Sequence, residues 1–159
     1  MKHPFDPVYN KDSKILILGS FPSVRSREDG FYYGHPQNRF WKLLSSLFQV
    51  EFPQTVQERK TFLLQKGIAL WDVIASCDIQ NSSDSSIRNV TPNPLDQIFA
   101  VSDIQLIITN GKAADRLYRK YYKREAICLP STSPANATWT FSKLEETWGA
   151  ALADFLNAF

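Results

Sequence analysis

The first strong hydrophobic signal is Ile15-Leu16-Ile17-Leu18, closed by Gly19. A short unbroken apolar run that stops at a glycine suits a strand buried on both faces. Similar runs recur at Ile68 to Ile74, at Gln105 to Thr109 and, more briefly, at Ala126 to Leu129. Between them the spacing becomes helical. Phe40, Leu44, Leu47 and Phe48 fall on one helix face, with Asn38 placed to cap it. Thr55-Val56-Gln57-Glu58 has the form of a capping box, and Gly67 suits the helix end. Asn93-Pro94 opens a short helix, and Asn110-Gly111 leads into another that runs through Tyr122. Ser142-Lys143-Leu144-Glu145 is a second capping box, before a helix that shows Leu144, Trp148, Leu152 and Phe155 on one side. The stretches 20–37, 75–93 and 130–138 read as loops.

Strands alternating with helices predict a mainly parallel sheet covered on both sides. The expected fold is a three-layer α/β/α sandwich with four central strands, formed by one domain over residues 1–159. In open parallel sheets, ligands bind beyond the carboxyl ends of the strands. Those ends are Gly19-Ser20-Phe21, Asp72 to Ser76, Asn110-Gly111 and Pro130 to Pro134, and all four should line one crevice.

Composition narrows the classes. Eighteen Lys and Arg against sixteen Asp and Glu give a net charge of +2, which permits nucleic acid as a partner without requiring it. Cys77 and Cys128 lack CxxC spacing, which rules out a disulfide framework, a cysteine-based zinc site and a four-cysteine iron–sulfur cluster. His3 and His35 are too few for a histidine metal site, so no metal or cofactor is expected. No apolar run approaches the ~18 residues of a membrane span, and Met-Lys-His-Pro-Phe is no signal peptide. A cytoplasmic monomer is expected, with no membrane partner.

The strand ends carry the candidate chemistry. Phe31-Tyr32-Tyr33 are adjacent aromatics in a loop, with Arg25, Arg27 and Arg39 nearby. Aromatics mixed with arginine suit base stacking with phosphate contact, or else a loop whose rings pack on the sheet edge. Asn110-Gly111-Lys112 follows a strand, where a glycine lets a ligand approach the backbone and a helix offers free N–H groups; an ordinary turn fits equally. Ser131-Thr132-Ser133-Pro134 clusters hydroxyls that can grip phosphate or simply form a turn. Asp72 is the carboxylate best placed to protonate a purine or activate water, or it is a charge solvated at a loop entrance.

Taken together these segments resemble the uracil-DNA glycosylase superfamily over nearly the whole chain. The most specific stretch is Gly34-His35-Pro36-Gln37-Asn38-Arg39-Phe40-Trp41, which is similar to the mismatch-specific uracil/thymine branch. The Gly-x-x-Pro at 19–22 and the late Ser-Pro loop fit as well. Two positions depart from that branch. Phe21 stands where it carries a water-positioning Asn, and Ser131 stands where other branches place His or Asn. The nearest resemblance is to the hypoxanthine-DNA glycosylase group, with Gly-Ser-Phe-Pro followed by Gly-His-Pro-Gln-Asn-Arg-Phe-Trp.

That resemblance implies a monofunctional glycosylase of base excision repair, acting on DNA that contains deaminated bases and associated with the nucleoid when acting. It assigns the water-positioning role to Asn38; Asp72, singled out by its place at the end of the second strand, is the second catalytic candidate. Tyr33 takes the base-stacking position, backbone N–H groups near Ser20 and Phe21 meet the base edge, and Asn110 reads that edge. Ser131, Thr132 and Ser133 would pinch phosphates around the flipped nucleotide, supported by Arg25, Arg39 and Lys112. Ala135 and Asn136 would enter the gap in the duplex. The loop at 82–87 resembles one lying near the family's site. Rival readings are a uracil or mismatch-specific enzyme of the same fold, a relative that binds nucleic acid without catalysis, and an enzyme of free nucleosides.

Overall fold

The computed structural model describes residues 1–79 and 86–157. β1 (Ile15–Gly19) forms the centre of a four-stranded sheet. On one side it pairs in parallel with β2 (Ile68–Asp72), Ile15 opposite Ile68 and Gly19 opposite Asp72. On the other it pairs in parallel with β5 (Leu106–Asn110), which pairs in parallel with the short β6 (Ile127–Leu129). Every residue of β1 and β2 is buried. Side chains alternate between faces along a strand, so both faces of these strands are covered. The α/β sandwich expected from the sequence is the observed fold. β6 is a true edge, with Ile127 exposed.

The helices are α1 (Val24–Asp29), α2 (Phe40–Phe48), α3 (Val56–Gln65), α4 (Asp96–Phe99), α5 (Lys112–Tyr121) and α6 (Phe141–Leu152). α2 and α6 pack on each other, with the Phe40 and Trp148 rings in an edge contact at 6.5 Å. Thr55 caps α3 by accepting the Glu58 N–H at 3.0 Å, while Glu58 takes the N–H of Gln54. α6 begins earlier than its capping box suggests. Thr140, not Ser142, takes the Lys143 N–H, and Glu145 turns instead to Ser46.

Two stretches expected as loops contain structure. α1 lies within 20–37, a six-residue polar helix capped by the Ser23 side chain and ended by Gly30 at φ +81°. Within 75–93, β3 (Ile74–Asp78) and β4 (Arg88–Pro92) form a separate antiparallel pair. The N-terminal segment crosses both sheets. Lys2 bridges Ser76, Val8 bridges Leu70, and the His3 N–H donates to the Ala75 carbonyl at 2.7 Å. This strap carries His3 to the C-terminal end of β2. Residues 82–85 of the serine-rich loop lie outside the described residues. No helix among the described residues is long and apolar enough to cross a membrane.

Candidate active site

The four strand ends meet at one cavity of about 130 Å³. Its lining brings together Ser20, Phe21, Tyr33, Asn38, Asp72 and Asn110, along with residues 131–133. Arg25, Arg39, Lys112, Ala135 and Asn136 stand outside it.

Gly19 makes the floor possible. A Cβ there would lie 2.4 Å from Asp72 Oδ1 and 3.0 Å from the Tyr33 hydroxyl, so any larger residue would displace both. Gly111 serves the neighbouring strand end. Its φ of +98° suits glycine, and a Cβ would come within 3.0 Å of the Ser131 side chain.

Asp72 is buried, and its partner is one the sequence did not disclose. His3 Nε2 lies 2.7 Å from Asp72 Oδ2, with both side chains almost fully enclosed. The other ring nitrogen faces the Phe5 backbone, 3.1 Å from its N–H and 2.9 Å from its carbonyl. This nitrogen thus meets both a donor and an acceptor of the Phe5 backbone. Asn93 closes the turn beneath by donating to the Asp72 and Ile74 carbonyls.

The aromatic loop divides its rings. Phe31 and Tyr32 are buried in the core, where Trp41 Nε1 donates to the Tyr32 carbonyl at 3.0 Å. Tyr33 has the left-handed φ of +54° and stacks on Phe40 at 4.1 Å, which covers one face of its ring. Its hydroxyl is buried beside Asn110 and Asp72 and makes no well-formed hydrogen bond. Burial first, and the Asp72 charge second, push the Tyr33 phenol far above its usual range, which keeps it a neutral donor.

The other part of the lining is a closed network of amides. Asn38 Oδ1 accepts the Phe40 N–H at 2.9 Å and the Thr132 hydroxyl at 2.9 Å. The residue stands one position before the N-cap of α2, which is Arg39 rather than the expected Asn38; it takes the first N–H of the helix and lines the cavity at once. Asn110 Nδ2 donates to Thr132 Oγ1 and Asn110 Oδ1 accepts the Thr132 N–H, both at 3.1 Å. The Asn110 amide is thus engaged within the protein rather than free to read a base.

Two expected phosphate contacts are corrected by the geometry. Thr132 is wholly buried, and its hydroxyl is bonded inside. Arg39 turns inward and donates to the carbonyls of Thr132, Ser133, Asn136 and Trp139. Ser131 and Ser133 shape the loop by accepting the N–H groups of Ser133 and Ala135, and Asn136 donates to the Ser131 carbonyl. Arg25 is exposed but paired with Asp29, Lys112 is exposed at the start of α5, and Ala135 is exposed at the loop tip.

A parallel sheet with a base-sized cavity at its carboxyl edge, lined by Asn38 and Asp72, limits the families this chain can join. The model of the uracil DNA glycosylase superfamily matches residues 7–155, and the chain belongs to that superfamily. More particularly, it is similar to a hypoxanthine DNA glycosylase from Methanosarcina acetivorans, 32% identical over 155 residues, covering 94% of this chain and 97% of the relative. A protein of the same name from Methanosarcina barkeri is 34% identical over 113 residues, 70% of this chain and 72% of that one. A solution NMR structure of a Methanosarcina acetivorans protein assigned to the uracil DNA glycosylases superposes with a TM-score of 0.80. It is 31% identical and the match covers 97% of this chain and 98% of that one.

Proposed function

We propose that this chain is a monofunctional DNA glycosylase that hydrolyses the N-glycosidic bond of a flipped deaminated base, with hypoxanthine as the preferred target. One observation carries the reading. A superfamily member places an asparagine amide and a buried carboxylate in the lining of the same strand-end cavity.

Cleavage of a deoxynucleoside passes through an oxocarbenium-like sugar, and the enzyme's task is to stabilise charge and deliver water. The C1′–N9 bond breaks and its electron pair leaves with the purine. The oxygen of a water held by Asn38 bonds to C1′. The proton lost by that water passes to Asp72, whose other oxygen is steadied by His3. The departing purine takes up a proton, and the carboxylate returns its own to solvent. Extruding the base from the duplex costs a few kcal/mol, least for a mispaired base. Among the described lining residues there is no lysine. A Schiff base needs an amine, so the reaction stops at the abasic site.

The test is an oligonucleotide with one deoxyinosine. The expected product is an abasic site that becomes a nick only after alkali. Asn38→Ala should lower cleavage about 10²–10³-fold while DNA binding persists. No product from inosine, uracil, xanthine or thymine mismatches would remove the catalytic reading. A second reading, binding without catalysis, is favoured by Phe21, which packs against His3 at 5.8 Å and has no group to direct water. It predicts salt-dependent DNA binding that is indifferent to Asn38→Ala.

A further inference from the structure

We propose that Thr132 is a positioning residue that locks the Asn38 amide with its oxygen turned into the protein and its NH₂ group left for the cavity. The inference rests on the glycosylase reading and specifies which end of Asn38 acts.

The direction of every bond follows from groups whose role is fixed. A backbone N–H can only donate. The atom of Asn38 that meets the Phe40 N–H is therefore its carbonyl oxygen. The atom of Asn110 that meets the Thr132 N–H is likewise an oxygen, so the atom 3.1 Å from Thr132 Oγ1 is the Asn110 NH₂. The Thr132 hydroxyl accepts there. Its single proton then goes to Asn38 Oδ1, at 2.9 Å. Thr132 is itself anchored. It is fully buried, and its carbonyl accepts the Arg39 N–H at 3.1 Å.

A carbonyl oxygen has two lone pairs, and at Asn38 both are occupied. What remains is Nδ2, which makes no hydrogen bond within the described residues, on a residue that lines the cavity. Asn38 thus offers donors. It holds the attacking water through a lone pair of the water oxygen, and it cannot take that water's proton. Proton acceptance falls to Asp72. The two catalytic residues have different duties, and Thr132 sets the division.

Three variants test this in single-turnover and steady-state cleavage of an inosine oligonucleotide. Thr132→Val keeps the shape and removes the hydroxyl. Its kcat should fall about 10²-fold, the scale of a misplaced catalytic group, with KM within about twofold. Thr132→Ser keeps the hydroxyl and should recover most of that loss. Asn38→Asp keeps both acceptor bonds and removes the donors, and should be as inactive as Asn38→Ala. Titration of active sites separates a slower rate from a smaller folded fraction. Wild-type kcat in Thr132→Val, a Ser variant no better than Val, or an Asn38→Asp enzyme retaining more than about a tenth of the activity would each overturn the proposal. If Thr132→Val does not fold, the Asn38→Asp result decides alone. NMR of the Asn38 side-chain amide gives a reading independent of cleavage. One fixed conformer is expected in wild type and Thr132→Ser; averaging in wild type would refute the lock even if no base is cleaved.

Discussion

The cavity lining has two unlike parts. Around Asn38, Thr132 and Asn110 the groups are neutral and joined in one hydrogen-bonded chain. Around Asp72 and Tyr33 there is a buried charge held by one histidine, a hydroxyl without a well-formed bond, and a left-handed backbone. The first part orients. Satisfied neutral networks lose little on burial and do not respond to pH. The second part is the one to which the proposed function gives the reaction. A buried carboxylate keeps its charge only with a partner, and any change to either is felt strongly. Under the proposed function, orientation and reactivity fall to different residues, so each can be disturbed separately.

The sharpest break is Asp72→Asn. It preserves an acceptor for His3 but removes the proton-accepting charge. Cleavage should fall about 10²–10⁴-fold per folded molecule, measured by single-turnover assay, with calorimetry reporting the stability lost from the altered buried pair. Near-wild-type rates would leave the acid part without a chemical role. The next effect is on stability at high pH. Burial holds the Tyr32 and Tyr33 phenols far above their ordinary value of 10.0. Above that pH the unfolded chain loses protons that the folded chain keeps. The folded state then binds more protons, so stability falls as pH rises, by at most about 1.4 kcal/mol per pH unit for each tyrosine. Well below pH 10.0 these two groups contribute no slope, and urea titrations at several pH values would show both regimes. The smallest effect belongs to Tyr33→Phe. Removing a buried hydroxyl that lacks a good partner should leave stability unchanged or raise it by about 1 kcal/mol at neutral pH. It should also flatten the alkaline slope. A clear loss of stability would show that this hydroxyl is bonded after all.

Much of this was legible beforehand, for physical reasons. Ile15–Leu18 and Leu106–Ile108 are apolar because both faces of the sheet are covered, so they announced themselves as strands. The glycine that closes the first was read only as the strand's end; its closeness to Asp72 Oδ1 and the Tyr33 hydroxyl shows in the structure alone. The β3–β4 pair was hidden because it is mostly solvated and irregular. Its residues carry no alternating apolar pattern, and its register shifts twice. α1 was hidden by polarity as well, although Ser23 and Gly30 are a fair pair of caps. The His3–Asp72 contact spans 69 residues and depends on how the N-terminal strap crosses β3, which no local pattern encodes. Arg39 and Thr132 were read as surface groups because nothing in a loop's composition tells which side chains turn inward.

Arg39 has one more implication. Its guanidinium grips four main-chain oxygens, those of Thr132, Ser133, Asn136 and Trp139. Every amino acid carries such an oxygen. The exposed Ala135 and Ala137 can therefore change their side chains without loosening this mount, whereas Ser133 and Asn136 also bond within the loop through theirs. The planar fork matters here, and a lysine would not reproduce it. The loop thus sits on a bracket made of main-chain oxygens, and its exposed positions are free to vary while the mount stays in place.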